Sequence, residues 1–296
     1  MIKVFRFAAI CTITVALATL SIASAQVYTT IDFPGATATT LNGGPNPEGT
    51  NIGSYTASGV THGFMLKKGV FTSFDPPGST STTPNWITPQ GVIVGSYVDA
   101  AGANHGFILD GGKFTTVDFP GAAGTILTSR NPSGQMSGES CAAASCATTT
   151  HSFVLSKKGV FTSFDPPGAI SSSASTVNPS GAVVGSYTDS GGVGHGYLRS
   201  HGTFTTIDFP GAVFTFAGAG NPKGDIVGLY TDTGGVNHAF LLSNGGFTSF
   251  DFPGAILTDA AGINPSGVIV GIYLDSAGVV HGFIRTPRAT RSGLTH

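Results

Sequence analysis

Apolar and polar residues alternate along this chain in short runs broken by glycine-rich turns, which is the period of half-buried β-strands. The stretch from His238 to Gly254, HAFLLSNGGFTSFDFPG, shows the pattern in full. Leu241 and Leu242 run into Asn244-Gly245, and Phe247, Thr248 and Phe250 follow. Asn-Gly between two β-prone runs predicts a hairpin, because a type I′ turn needs positive φ at both central residues. Centring the turn there places His238 opposite Asp251 on one face of the hairpin. By the same arithmetic Gly111-Gly112 places His105 opposite Asp118, Lys68-Gly69 places His62 opposite Asp75, and His201-Gly202 places His195 opposite Asp208. His151 and Asp165 face each other across a loop one residue longer, where Lys157-Lys158-Gly159 suits a turn ending in a bulge glycine.

The hairpin belongs to a repeat. Asp-(Phe/Pro)-Pro-Gly begins at Asp32, Asp75, Asp118, Asp165, Asp208 and Asp251, in steps of 43, 43, 47, 43 and 43 residues. A turn of the form Asn/Thr-Pro-x-Gly opens at Asn46, Thr88, Asn131, Asn178, Asn221 and Asn264, and in most copies an Ile/Val-Val-Gly-x-Tyr run follows. Each copy holds four candidate strands, and four short strands per ~40–50 residues is the arithmetic of a β-propeller blade, with an open β-solenoid as the competing architecture. The last copy stops after His281 to Ile284 without a fourth strand, while Val27 to Phe33 is a fourth strand with nothing before it. The expectation is an all-β, six-bladed β-propeller of four-stranded blades, closed by the N-terminal strand, with Asp32 opposite His281 and no orphan edge.

Composition agrees with this picture. Charged residues are 9% of the chain, against ~25% in an average soluble protein, and the only glutamates are Glu48 and Glu139. A net charge of −2 provides no basic field, so nucleic acid is not an expected partner. Lys3 and Arg6, the apolar stretch Phe7 to Leu20, and Ala23-Ser24-Ala25 read as a secretory signal over residues 1–25. The expected layout is that signal, a single domain over 26–287 and a disordered tail over 288–296, with the chain fraying from Arg285 onward. The mature chain, with no further apolar run of membrane-spanning length, is expected outside the cytoplasm, extracellular or periplasmic. Cys11 falls in the signal, and Cys141 and Cys146 are expected to form a local disulfide in the one lengthened loop.

Residues 27–284 resemble the extracellular HAF-repeat proteins of bacteria, named for a His-Ala-Phe signature. That signature reads His238-Ala239-Phe240 here, His-Gly-Phe at His62, His105 and His281, His-Gly-Tyr at His195 and His-Ser-Phe at His151. The resemblance implies export and a propeller-like fold, and it implies no particular activity.

Six His–Asp pairs suggest catalytic dyads, but an active site is usually single and these recur once per copy. A His bonded to a carboxylate across a hairpin satisfies two polar groups, so a structural role is expected for all twelve residues, His281 and Asp32 included. Asp99, Asp189, Asp232 and Asp275 open Asp-x-x-Gly turns and are expected to close them. No stretch shows the alternating ligands of a calcium loop, zinc spacing, a phosphate loop or a nucleophile motif, so neither cofactor nor metal is expected.

Specific function on a repeat should sit where the copies differ. The most variable stretch runs from each Pro-Gly to the next Asn-Pro. It holds Asn85, Trp86, Arg130, Phe214, Phe216 and Asp259, the last breaking a position filled by Thr83, Ile126, Ser173 and Phe216 in other copies. If the first strand of each copy is innermost, these residues share one face around the axis. Two readings follow: a non-catalytic module recognising glycan or cell-surface polymer, or a polysaccharide hydrolase or lyase with an axial site. Asymmetric carboxylates on the axis favour the second, and an axis of Ala, Gly and Thr favours the first.

Overall fold

A computed structural model describes residues 26–287. The signal expected over 1–25 and the tail expected over 288–296 lie outside the described residues. The described residues form strands and turns, with no helix. β1 spans Val27–Ile31. β2 to β5 are Ala38–Gly43, Asn51–Ala57, Val60–Lys67 and Val70–Phe74, and β6 to β9 are Ser81–Ile87, Ile93–Val98, Asn104–Asp110 and Lys113–Val117. β10 to β13 are Gly124–Arg130, Met136–Cys141, Thr150–Leu155 and Phe161–Phe164, and β14 to β17 are Ala169–Val177, Val183–Asp189, Gly194–Ser200 and Thr203–Ile207. β18 to β21 are Phe214–Gly220, Ile226–Thr231, Asn237–Ser243 and Gly246–Phe250, and β22 to β24 are Leu257–Ile263, Ile269–Leu274 and Val280–Thr286.

The hairpins follow their turn chemistry. Asn244 and Gly245 have φ of 51° and 77°, as a type I′ turn demands, and Ala239 pairs with Phe250. Each copy of the repeat is an antiparallel meander in chain order. β1 lies antiparallel to β24, Val27 facing Thr286, so one sheet holds both ends of the described chain.

The expectation of six separate four-stranded blades is corrected. Hydrogen bonding yields five sheets, four of four strands and one of eight, because a single parallel bridge from Thr61 to Ser81 joins β2–β5 to β6–β9. Gly63 stands beside that bridge, where a Cβ would come within 3.0 Å of the Thr82 methyl; Gly106, Gly196 and Gly282 leave similar room at the next inner strand without a bridge. A second correction concerns Arg285, expected to begin a frayed tail. It is buried in β24, with its guanidinium 4.2 Å from the centre of the Phe250 ring, a cation–π contact that ties the strand down.

The core lies between neighbouring sheets and meanders. The third residue of each His-x-aromatic signature, Phe64, Phe107, Phe153, Tyr197, Phe240 and Phe283, is fully buried. The glycine at the Val-Gly-x-Tyr position is required sterically: a Cβ on Gly138, in the copy that reads Ser-Gly-Glu-Ser, would fall 2.3 Å from the Ile126 carbonyl oxygen of the inner strand. Each inner strand breaks register against the second strand just before its Asn/Thr-Pro turn, as between Pro84 and Trp86 or Ala260 and Gly262, and β14 breaks it a second time between Ala169 and Ser171. The extra residue of such a bulge is turned out of the ladder, and in this fold it faces the axis.

Candidate functional site: the axial cavity

Side chains on the bulges join one inner strand to the next. Asn42 donates from Nδ2 to the Pro84 carbonyl at 2.9 Å and Asn85 to the Leu127 carbonyl at 2.8 Å. Thr128 donates to the Ala174 carbonyl, and Ser175 to the Ala217 carbonyl at 2.9 Å. A second set of links runs through the Asn-Pro-x-Gly turns. Asn131 donates to the Asn178 carbonyl at 3.0 Å and Asn221 to the Asn264 carbonyl at 3.2 Å. Asn264 in turn donates to the Pro45 carbonyl at 3.4 Å, joining the last copy to the first.

The inner strands enclose two cavities on a common axis. One, of about 150 Å³, opens among the Asn-Pro-x-Gly turns and takes residues from every copy, Pro47, Pro89, Pro132, Pro179, Pro222 and Pro265 among them. The other, of about 220 Å³, lies toward the Pro-Gly turns and is lined by Asn42, Asn85, Trp86, Thr128, Glu139, Ser173, Ser175, Phe216 and Asp259 among others. Trp86 and Thr176 line both and so stand between them.

Two carboxylates face the larger cavity, each from a position filled by neutral residues in the other copies. Glu139 is the x of a Gly-x-Tyr-type run that reads Ser54, Ser96, Ser186, Leu229 and Ile272 elsewhere. Burial pushes its carboxyl above the ordinary glutamate range, against the opposing hydrogen bond from Ser173 Oγ at 2.6 Å. Burial alone pushes Asp259 up to about 6. Part of Asp259 borders the cavity, but its Oδ1 is shut off from solvent and meets no donor.

Four of the six variable residues singled out from sequence therefore meet: Asn85, Trp86, Phe216 and Asp259 line the larger cavity. Arg130 lines the smaller one, at the opposite mouth from the carboxylates. Phe214 does not join them. It is 36% exposed, and its ring fills the space left by Gly194, where a Cβ would come within 2.1 Å of it. Sequence reasoning missed Asn42, Thr128, Ser175 and Glu139. The first three occupy the bulge position that Asn85 holds, three or four residues before Asn/Thr-Pro, and Glu139 shows only as the odd residue among its equivalents.

The His–Asp pairs lie away from the axis. Their Nδ1-to-carboxylate distances are 2.7 Å for His62–Asp75, 3.0 Å for His105–Asp118, 2.9 Å for His151–Asp165, 2.9 Å for His195–Asp208, 2.9 Å for His238–Asp251 and 2.8 Å for His281–Asp32. In four copies Nε2 of the same ring lies 3.4–3.5 Å from the turn aspartate, Asp99, Asp189, Asp232 or Asp275. That aspartate also closes its own turn, Asp99 Oδ1 accepting from the Ala101 and Ala103 amides at 2.8 and 2.9 Å. A tyrosine stacks on each of these rings, as Tyr97 does on His105 with centroids 5.2 Å apart. The repetition and the turn bonds make these clusters braces at the sheet margins. Cys141 and Cys146 are joined in a disulfide whose loop reaches the neighbouring meander, the Asn104 amide donating to the Ala144 carbonyl at 2.9 Å. Among the described residues no cluster of three or more His, Cys, Asp or Glu is arranged to hold a metal ion, and no helix is long and apolar enough to cross a membrane.

No protein-family model and no curated protein matches the sequence. Solved structures match the fold. An Aleuria aurantia lectin variant in complex with Fucα1-6GlcNAc superposes with a TM-score of 0.51 at 11% identity, covering 86% of this chain and 96% of the lectin. AofleA from Arthrobotrys oligospora matches with a TM-score of 0.51 at 12% identity, over 90% of this chain and 84% of that one. XC5397 from Xanthomonas campestris, described as a gluconolactonase, matches with a TM-score of 0.50 at 12% identity, over 85% and 87%. At these identities the likeness establishes a β-propeller fold and leaves the ligand open.

Proposed function

We propose that this protein is an exported carbohydrate-binding β-propeller of the HAF-repeat type, which takes one sugar ring into the larger axial cavity. The observation that carries the reading is the lining: Trp86 and Phe216 offer apolar faces, while Asn42, Asn85, Ser173, Ser175, Glu139 and Asp259 surround them with polar groups. Convergent polar groups around aromatic walls are the usual make-up of a small-ligand site. At about 220 Å³ the cavity falls below the ~300–1,000 Å³ of most such sites, which suits a terminal sugar ring rather than a polymer strand. A lectin and a gluconolactonase on the same fold support a carbohydrate ligand without choosing between binding and turnover. The test is a glycan array probed with wild type and Trp86→Ala. Binding to a defined set of glycans, lost in the variant, is expected; a wild type that binds none removes the ligand class.

A second reading, a polysaccharide hydrolase or lyase, is favoured by one observation: Glu139 and Asp259 are asymmetric axial carboxylates with raised pKa values, as acid–base catalysis often uses. Binding is preferred because cleaving a polymer requires sugars on both sides of the carboxylates, and this cavity is small for two. Release of reducing ends from a polysaccharide panel by wild type, abolished in Glu139→Gln, would install the enzymatic reading in its place.

A further inference from the structure

The larger axial cavity holds two carboxylates and no cationic side chain to pair with them. The Thr128 and Ser175 hydroxyls are committed to carbonyls across the boundary between copies, and Ser173 donates to Glu139. Asn42 and Asn85 each spend an amide hydrogen the same way. Two carboxylates stand among the lining residues, with Trp86 and uncharged polar groups around them, and no Lys, Arg or His. Two buried polar atoms at this cavity have no partner, Asp259 Oδ1 and Thr176 Oγ1, and Thr176 is only 3% exposed. An unmade buried hydrogen bond is costly, more so for a charged group, so both side chains gain if they turn toward a ligand that supplies the missing group. The torsion that turns an Asp carboxylate is broad, so either oxygen can meet a ligand.

We propose that the cavity binds an amino sugar through its free ammonium group, the cation pairing with the Asp259 carboxylate, ring hydroxyls reaching Glu139 and Thr176, and the ring lying against Trp86 and Phe216. The proposal rests on the carbohydrate reading above and narrows it to one class of sugar. A bare divalent cation would satisfy the carboxylates, yet it has no use for two aromatic walls, whereas an organic ammonium gains from them. A neutral or N-acetylated sugar would leave the buried carboxylate without a counter-charge.

Isothermal titration of the mature chain at pH 7 with glucosamine, N-acetylglucosamine, glucose and calcium chloride tests this. Glucosamine is expected to bind at least about tenfold more tightly than either neutral sugar. Asp259→Asn, nearly isosteric, is expected to erase that preference while the protein stays folded by circular dichroism. Equal or tighter binding of N-acetylglucosamine or glucose overturns the ammonium proposal and leaves the carbohydrate reading standing. Calcium binding without any sugar binding overturns both. An undiminished glucosamine preference in Asp259→Asn overturns the assignment to this cavity, and the wild-type comparison remains decisive if a variant fails to fold.

Discussion

At the scale of single residues, the raised histidines and the raised Asp259 both favour the fold at lower pH, while the lowered turn aspartates act only in the acid range. For His105, His195, His238 and His281 burial disfavours the charged ring, but the hairpin and turn aspartates outweigh it and raise the pKa. Stability from these groups is complete below the unfolded histidine value of about 6.5 and fades as pH rises through the folded one. Asp99, Asp189, Asp232 and Asp275 are held low, chiefly by backbone amides, so their contribution is present above about 3.9 and fades as pH falls. Asp259, pushed up to about 6, costs stability once it ionises. The melting temperature is therefore expected to be higher at pH 5 than at pH 8 in scanning calorimetry, and a flat or rising profile would contradict the assignment. Asp259→Asn should raise the melting temperature at pH 8, since ionising this carboxylate costs on the order of 2–3 kcal/mol there.

At the scale of the strand pair, a glycine and a bulge decide what faces the axis. The six Val-Gly-x-Tyr-type glycines let the second strand pass the carbonyls of the inner strand, and Gly138→Ala would drive a methyl into Ile126 O. A loss of about 1–3 kcal/mol is expected from such overpacking, read as a lower midpoint in urea with an unchanged slope; an unaffected midpoint would show that the strands can part. Hairpin register was legible in sequence because turn geometry is local, and the Asp–Asn spacing marked the strands. The axial lining was legible only in part. A bulge reverses the alternation of faces along the rest of a strand, so Asn85 and Trp86 both border the cavity although they are adjacent. Phe214 shares a strand with Phe216 yet lies at the outer end, where the gap over Gly194 takes its ring.

At the scale of the whole molecule, the two ends of the described chain share a sheet. Removing residues up to and including Asp32 would leave β24 with an unpaired edge and His281 without its carboxylate partner. A lower melting temperature and self-association are expected, since a bare edge recruits another strand. Size-exclusion chromatography showing an unchanged, equally stable monomer would mean that this pairing contributes little.

What the sequence determined by itself was local: the turns, the strand period, the hairpin partners of each histidine and the closely spaced cysteine pair. These depend on neighbours a few residues apart, where φ preferences and alternation suffice. Tertiary structure alone decided that the Thr61–Ser81 bridge merges two copies into one sheet, and that Glu139 and Asp259 share a cavity. Both depend on how closely distant backbones approach and on bulges that turn single residues inward, and no local pattern encodes those distances.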